Sequence, residues 1–186
     1  MSIETTSLPG VLIFTSRVFK DARGFFFESY KDVVWQAAGI ETVYVQDNQS
    51  RSVRDTVRGL HFQLPPAQQV KLVRVVRGAV WDVAVDIRLG SPTCGQWAGV
   101  ELSEDNFKQI YIPAGFAHGF CVLSDEADVL YKTSHIYSPS HEQGIVWNEP
   151  DIGIPWPASE PLLSDRDRTA QSLQQYLAGT PFVYRP

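Results

Sequence analysis

Short apolar or alternating runs recur along the chain, with turn residues between them. The first, residues 10–15 (GVLIFT), stops ahead of Lys20-Asp21-Ala22-Arg23-Gly24, whose composition is that of a turn. Residues 25–30 (FFFESY), 42–47 (TVYVQD), 58–63 and 70–76 follow, rich in the β-branched and aromatic side chains that suit strands. Residues 79–88 alternate: Trp81, Val83, Val85 and Ile87 fall on one face, and Val80, Asp82, Ala84 and Asp86 on the other. With Arg77-Gly78 between them, runs 70–76 and 79–87 read as a β-hairpin. Further strands are predicted at 97–102, 109–112, 119–123 and 127–134, with Ser103-Glu104-Asp105-Asn106 as a turn. Helical periodicity is confined to two places. Val34, Trp35 and Ala38 make one stripe over 31–38, stopped by Gly39, and residues 167–178 read as a C-terminal helix before Gly179. About ten strands with so little helix predict an all-β fold, an antiparallel jelly-roll barrel with a few short peripheral helices.

Composition narrows the class. The 186 residues suit a single domain over 1–186, and 44% hydrophobic with 20% charged residues is the balance of a folded globular chain. A net charge of −5 provides no basic field for nucleic acid. No apolar run approaches the roughly 18 residues of a membrane span, and residues 1–4 lack the basic start of a secretory signal. Cys94 and Cys121 have neither metal-ligand nor disulfide-framework spacing, so they read as reduced thiols of a cytoplasmic protein.

Four segments carry candidate chemistry. In Arg58-Gly59-Leu60-His61-Phe62-Gln63, simple strand alternation puts Arg58, Leu60 and Phe62 on one face and Gly59, His61 and Gln63 on the other. Gly59 leaves room for a ligand beside His61, and Lys71 follows on the next predicted strand. An imidazole is a suitable general base near neutral pH. A nearby ammonium stabilises the oxyanion formed when a proton leaves a carbon next to a carbonyl. Pro113-Ala114-Gly115-Phe116-Ala117-His118 has the P-x-G-x-x-H spacing of the second cupin motif. Metal-binding cupins join that His to a His-x-His pair and a carboxylate, but here Gln63 stands where the second His belongs. No metal is therefore expected, and the barrel interior is left to organic acid–base chemistry. Tyr131, in Leu130-Tyr131-Lys132-Thr133, suits a half-buried strand position, and its phenol is also a candidate general acid. Among the cations of the N-terminal half, those gathered at a barrel mouth would form a local pyrophosphate site. Arg51, Arg54 and Arg74, like His135 and His141, read as ordinary surface groups.

Together these segments resemble the dTDP-4-dehydrorhamnose 3,5-epimerases, cupin-type sugar nucleotide epimerases. The resemblance runs in order from about residue 10 to 167 through FKDARGFFFESY, VQDNQSRS, RGLHFQ, KLVRVVRG, WDVAVDIRLGSPT, GQWAGVELS, IPAGFAHGF, LYKTS and LSDRD. It implies a jelly-roll homodimer, with no cofactor, converting dTDP-4-dehydro-6-deoxy-D-glucose into dTDP-4-dehydro-L-rhamnose. By position His61 is then the base that removes the C3 and C5 protons, and Asp167 the acidic residue that orients it. Tyr131 returns a proton from the opposite face, and Lys71 stabilises the enolate on O4. Substrate contacts carry over to Arg23, Glu28, Gln46, Asp47, Asn48, Arg58, His118, Glu142 and Arg166. The N-terminal strands, about 10–50, are implied to lie at the dimer interface, so that Arg23 and Glu28 serve the partner's site. Phe26 and Tyr137 are candidates to stack on thymine. Many relatives carry Lys where this chain has Arg166, and a planar guanidinium does not substitute for an ammonium point for point.

Rival readings stay within reach of the same residues. A relative that epimerises only C3 or only C5 would share the barrel, His61 and Tyr131. A ketoisomerase moving the carbonyl between C4 and C3 fits the His61, Lys71, Tyr131 and Asp167 set less well. A non-catalytic sugar-nucleotide-binding cupin would keep the arginine and amide contacts but has no need of the acid–base set.

Overall fold

The structure is a computed structural model and describes residues 2–185. The ends of the expected 1–186 domain, Met1 and Pro186, lie outside the described residues. The strands are β1 (Ser2–Thr5), β2 (Leu12–Thr15), β3 (Phe19–Asp21), β4 (Gly24–Phe26), β5 (Gln46–Val53), β6 (Val57–Gln63) and β7 (Lys71–Arg77). They continue as β8 (Ala79–Asp86), β9 (Trp97–Ser103), β10 (Lys108–Ile112), β11 (Phe116–Val122), β12 (Glu126–Thr133) and β13 (Glu142–Gly144). Three short helices accompany them: α1 (Asp32–Ala37), α2 (Asp165–Arg168) and α3 (Leu173–Leu177).

Two antiparallel sheets face each other. One has the order β1-β2-β10-β7-β12-β5 and the other β13-β6-β11-β8-β9, while β3 and β4 form a separate hairpin. Between the sheets lies one apolar core. Val73, Ile110 and Val129 come from the first sheet, and Val80, Ala84, Leu102, Phe116 and Phe120 from the second. Each buried Val, Leu, Ile or Phe among them is worth roughly 1.5–3 kcal/mol relative to exposure. This is the cupin-like jelly roll. The five-stranded sheet is also covered outside, where Leu60, Phe62, Val83 and Val85 meet Ile145, Ile152, Leu173 and Tyr176. Trp35 of α1 joins Phe14, Ile40 and Leu72 on the outer face of the six-stranded sheet. Among the described residues no helix is long and apolar enough to cross a membrane.

The expected hairpin of runs 70–76 and 79–87 does not form. β7 and β8 belong to different sheets and face one another across the core, with Gly78 as the corner. Gly78 takes φ +73°, and a Cβ there would lie 2.1 Å from Glu126 O, so the chain turns through a space only glycine fits. Apolar alternation finds such strands but not their partners. The strand expected at 42–47 begins only at Gln46 and runs on through polar residues to Val53. The C-terminal helix is two helices. Gln171 pairs with Ile145 in the gap, and Ser172 opens α3 with a capping box, accepting the Gln175 N–H while Gln175 accepts its own.

A buried polar clasp ties the chain end to the barrel. Asp86 accepts from Arg88 Nε (2.9 Å) and Nη2 (2.7 Å), Ser91 Oγ (2.5 Å) and Thr93 Oγ1 (2.7 Å). The Arg88 guanidinium lies over the Phe116 ring at 4.5 Å and the Tyr184 ring at 5.1 Å.

Candidate active site

The site is organised by an irregularity where β6 pairs with β11. His61 opposes His118, and Arg58 opposes Phe120, so two residues intervene on β6 where one intervenes on β11. His118 and Phe120 share a face, and their partners Arg58 and His61 therefore do too. This corrects the strand alternation expected from sequence, which turned Arg58 away from His61. The Arg58 guanidinium reaches Ser52 Oγ on β5 at 2.9 Å.

His61 lies 2.5 Å, through Nε2, from Asp167 Oδ1 on α2, although they are 106 positions apart. The acceptor-only carboxylate fixes the proton on Nε2, which leaves Nδ1 as the basic ring nitrogen. Asp167 is buried, and its Oδ2 lies 3.5 Å from the Gly59 N–H; Ser164 caps α2 by accepting the Asp167 N–H. Burial alone would push the Asp167 carboxyl up. The hydrogen bond and charge of His61, with Gly59 N–H and Ser164, outweigh it and hold the group below the ordinary carboxylate value. Arg166 binds Glu142 through Nη1, and its Nη2 stands 3.1 Å from His61 Nε2. Glu142 also accepts the Tyr137 hydroxyl at 2.6 Å.

Lys71 opens β7 on the interior face, 8% exposed, and donates to His61 O at 3.3 Å. Burial pulls its pKa down to about 8, opposed by Asp82 and Glu142 and reinforced by Arg166. Tyr131 packs against the core from β12. Burial raises its phenol pKa, with Arg58 opposing and Glu142 reinforcing, so the hydroxyl stays protonated at neutral pH. Gln46 and Asn48 pair with Thr133 and Tyr131 and so share the face of Tyr131. A cavity of about 250 Å³ is lined by His61, Lys71, Tyr131, Gln46, Asn48, Tyr137 and Glu142. A cleft of about 430 Å³ adjoins it across His61, bounded by Gly59, Arg166 and Asp167.

His118 is buried on β11 with Nε2 at 3.0 and 2.9 Å from the two oxygens of Asp82. Burial lowers its pKa more than Asp82 restores it, so the ring is neutral near pH 7. Asp82 is the residue that sequence reasoning passed over. An acid at the centre of the apolar stripe Val80-Asp82-Ala84 was the available signal.

Other expected contacts stand apart. Asp47 opposes Lys132 on the sheet's outer face, its oxygens 2.9 and 3.0 Å from Lys132 Nζ. Arg23 is exposed and pairs with Asp21, and Glu28 pairs with Lys31. Phe26 is exposed on the β3–β4 hairpin, whereas Tyr137 reaches the cavity rim. Gln63, at the position of the missing cupin His, is engaged structurally: Nε2 donates to Ala67 O (2.7 Å) and Oε1 accepts the Ser138 N–H (2.8 Å). Among the described residues no cluster of three or more His, Cys, Asp or Glu is placed to hold a metal ion.

A base held by a carboxylate, a neutral phenol and a buried ammonium around one cavity form a set for proton transfer at carbon next to a carbonyl. A family profile described as dTDP-4-dehydrorhamnose 3,5-epimerase matches residues 5–175. The dTDP-4-dehydrorhamnose 3,5-epimerase of Shigella flexneri is 54% identical over 172 residues, 92% of this chain and 95% of that one. A dTDP-4-dehydrorhamnose 3-epimerase of Streptomyces niveus is 42% identical over 176 residues, 94% of this chain and 85% of that one. The crystal structure of the dTDP-6-deoxy-D-glucose-3,5-epimerase of Legionella pneumophila, in complex with dTDP-4-keto-L-rhamnose, superposes with a TM-score of 0.96 at 44% identity. That match covers 100% of this chain and 99% of the other. With the profile spanning most of the chain and identity near one half, the chain belongs to the dTDP-4-dehydrorhamnose 3,5-epimerase family.

Proposed function

We propose that the protein epimerises C3 and C5 of dTDP-4-dehydro-6-deoxy-D-glucose, giving dTDP-4-dehydro-L-rhamnose. One observation carries the mechanism. His61 stands on β6 of the five-stranded sheet and Tyr131 on β12 of the six-stranded sheet, yet both line one cavity. A sugar ring between them meets a base on one side and an acid on the other, as inversion requires. The 4-keto group acidifies the C–H bonds at C3 and C5. His61, held by Asp167, takes the proton, and Lys71 stabilises the enolate oxygen. Tyr131 delivers a proton to the opposite face, and before the second carbon reacts the His61 imidazolium gives its proton to solvent while the Tyr131 phenolate takes one back. Each carbon loses one proton and regains one, so the residues supply what the reaction needs and no cofactor enters.

Gln46, Asn48, Arg58, His118, Glu142 and Arg166 are assigned to substrate contacts around this cavity. Arg23, Glu28 and Asp47 lie away from it in their own chain. The reading for Arg23 and Glu28 is that they serve the cavity of a second copy in a homodimer, with residues about 10–50 of a single 1–186 domain at the interface. Exposure of Phe19 (51%), Phe25 (60%) and Phe26 (67%) on the β3–β4 hairpin supports that interface. Sedimentation at micromolar concentration tests it, a monomer overturning it. The compartment we propose for it is the cytoplasm.

Proton NMR of the substrate with the protein in deuterated water tests the activity. Deuterium at both carbons, with a rhamnose-configured product after reduction of the ketone, supports double epimerisation. Label at one carbon points to the single-epimerase reading, which the 3-epimerase relative keeps in view. A folded protein that binds dTDP without exchange is a binding module.

A further inference from the structure

Asp82 has no solvent exposure, and a carboxylate without partners at such a depth is prohibitively costly. Both its oxygens lie within hydrogen-bond reach of His118 Nε2. A neutral imidazole offers a dipole, however, and does not cancel the charge. Lys71, on the interior face of the opposite sheet, is a buried cation that feels the charge of Asp82. Several groups surround Lys71. They are Asp82 from β8, His118 from β11, His61 from β6, Tyr131 from β12, Glu142 from β13, and Arg166 from α2. Among the acids, Glu142 is bound to Tyr137 and Arg166, and Asp167 to His61. Asp82 is left as the fully buried acid with no cation of its own.

We propose that Asp82 is a positioning residue for the epimerisation: it fixes the His118 ring and its charge keeps Lys71 an ammonium beneath the enolate oxygen. The proposal rests on the reading of Lys71 as enolate stabiliser. In the low-dielectric interior the field of Asp82 acts on Lys71 with little screening. It opposes the burial that draws Lys71 down to about 8. The hydrogen bond to His118 Nε2 also sets that ring's tautomer, leaving Nδ1 as an acceptor for a sugar hydroxyl.

The test is Asp82→Asn, which keeps the shape and still accepts from His118. Lys71 is titrated by carbon-13 NMR of its ε-carbon in the ligand-free protein, and deuterium wash-in is followed as kcat/KM against pH. The expected result is a Lys71 midpoint lower by about one pH unit, with the alkaline limb of kcat/KM moving with it. The deficit against the unaltered protein should narrow as the pH is lowered. An unchanged midpoint, or a loss equal at every pH, overturns the proposal. Should Asp82→Asn fail to fold, His118→Gln, which leaves the Asp82 charge in place, must keep the Lys71 midpoint; a fall overturns the proposal. If the unaltered protein exchanges no deuterium, the function is wrong, while the NMR midpoint still decides the role of Asp82.

Discussion

Gly59 and Gly119 lie backbone against backbone on β6 and β11. A Cβ placed on Gly59 would stand 2.6 Å from Gly119 Cα and 2.8 Å from His118 O. Gly59 also takes φ +136°, a conformation that side chains penalise. It sits at the irregularity that turns Arg58 and His61 to one face, and its N–H faces Asp167. Gly59→Ala should therefore cost on the order of 2–5 kcal/mol of stability and displace His61 from Asp167. Denaturant unfolding and wash-in kinetics check this. A stable variant with unchanged turnover would show that the close approach is incidental.

Tyr131 and His61 stand on opposite sheets, so under the proposed mechanism removing the phenol should separate exchange from inversion. In Tyr131→Phe, His61 still removes a proton and returns a deuteron to the same face. Wash-in should persist while epimerised product falls by about 10²–10⁴-fold. Because burial raises the phenol pKa, the unaltered enzyme should hold this acid protonated well above neutral pH. Equal loss of exchange and inversion would place Tyr131 in proton abstraction instead.

These residues were unequally legible. His61, Lys71 and Tyr131 sit in recognisable strand segments, and the alternation of β8 already separated Val80, Asp82 and Ala84 from Trp81, Val83 and Val85. β5 was mostly missed because it carries Gln46, Asn48, Ser50 and Ser52 on its inner face, where a core strand would be apolar. A strand that faces a polar ligand loses the very periodicity that announces strands. The β7–β8 crossover was misread since a Gly corner between sheets and a hairpin turn share a composition. The His61–Asp167 pair, whose members are 106 positions apart, has no local signal at all and came only from family resemblance.

Asp86 is one source of acid sensitivity in the fold. Burial alone would raise its pKa, but the hydrogen bonds from Arg88, Ser91 and Thr93 outweigh it and leave the carboxyl below its ordinary value. A depressed folded-state pKa gives stability that is complete above the unfolded carboxylate value, about 3.9, and is lost as pH falls through the folded one. Asp86→Ala should cost about 3–5 kcal/mol at neutral pH, because it strands Arg88 between the Phe116 and Tyr184 rings. Urea midpoints at falling pH should converge for the two proteins. A constant gap through the acid range would move the pH sensitivity elsewhere.

Lys71 has the opposite sign. Its ordinary pKa of 10.5 falls to about 8 in the folded protein because it is buried. Between those values the unfolded chain binds a proton that the folded one releases, so stability should rise with pH across that window. At neutral pH the folded state carries the cost of a buried ammonium, which its proposed role beneath the enolate oxygen accounts for. Lys71→Met fills similar space without charge. It should flatten the rise in the alkaline window and lower wash-in by about a hundredfold or more. Greater stability with lost turnover would mark Lys71 as a residue whose charge serves chemistry at the fold's expense. Lower stability in Lys71→Met would mean that the ammonium is well compensated in the resting protein, with Asp82 supplying more than burial removes.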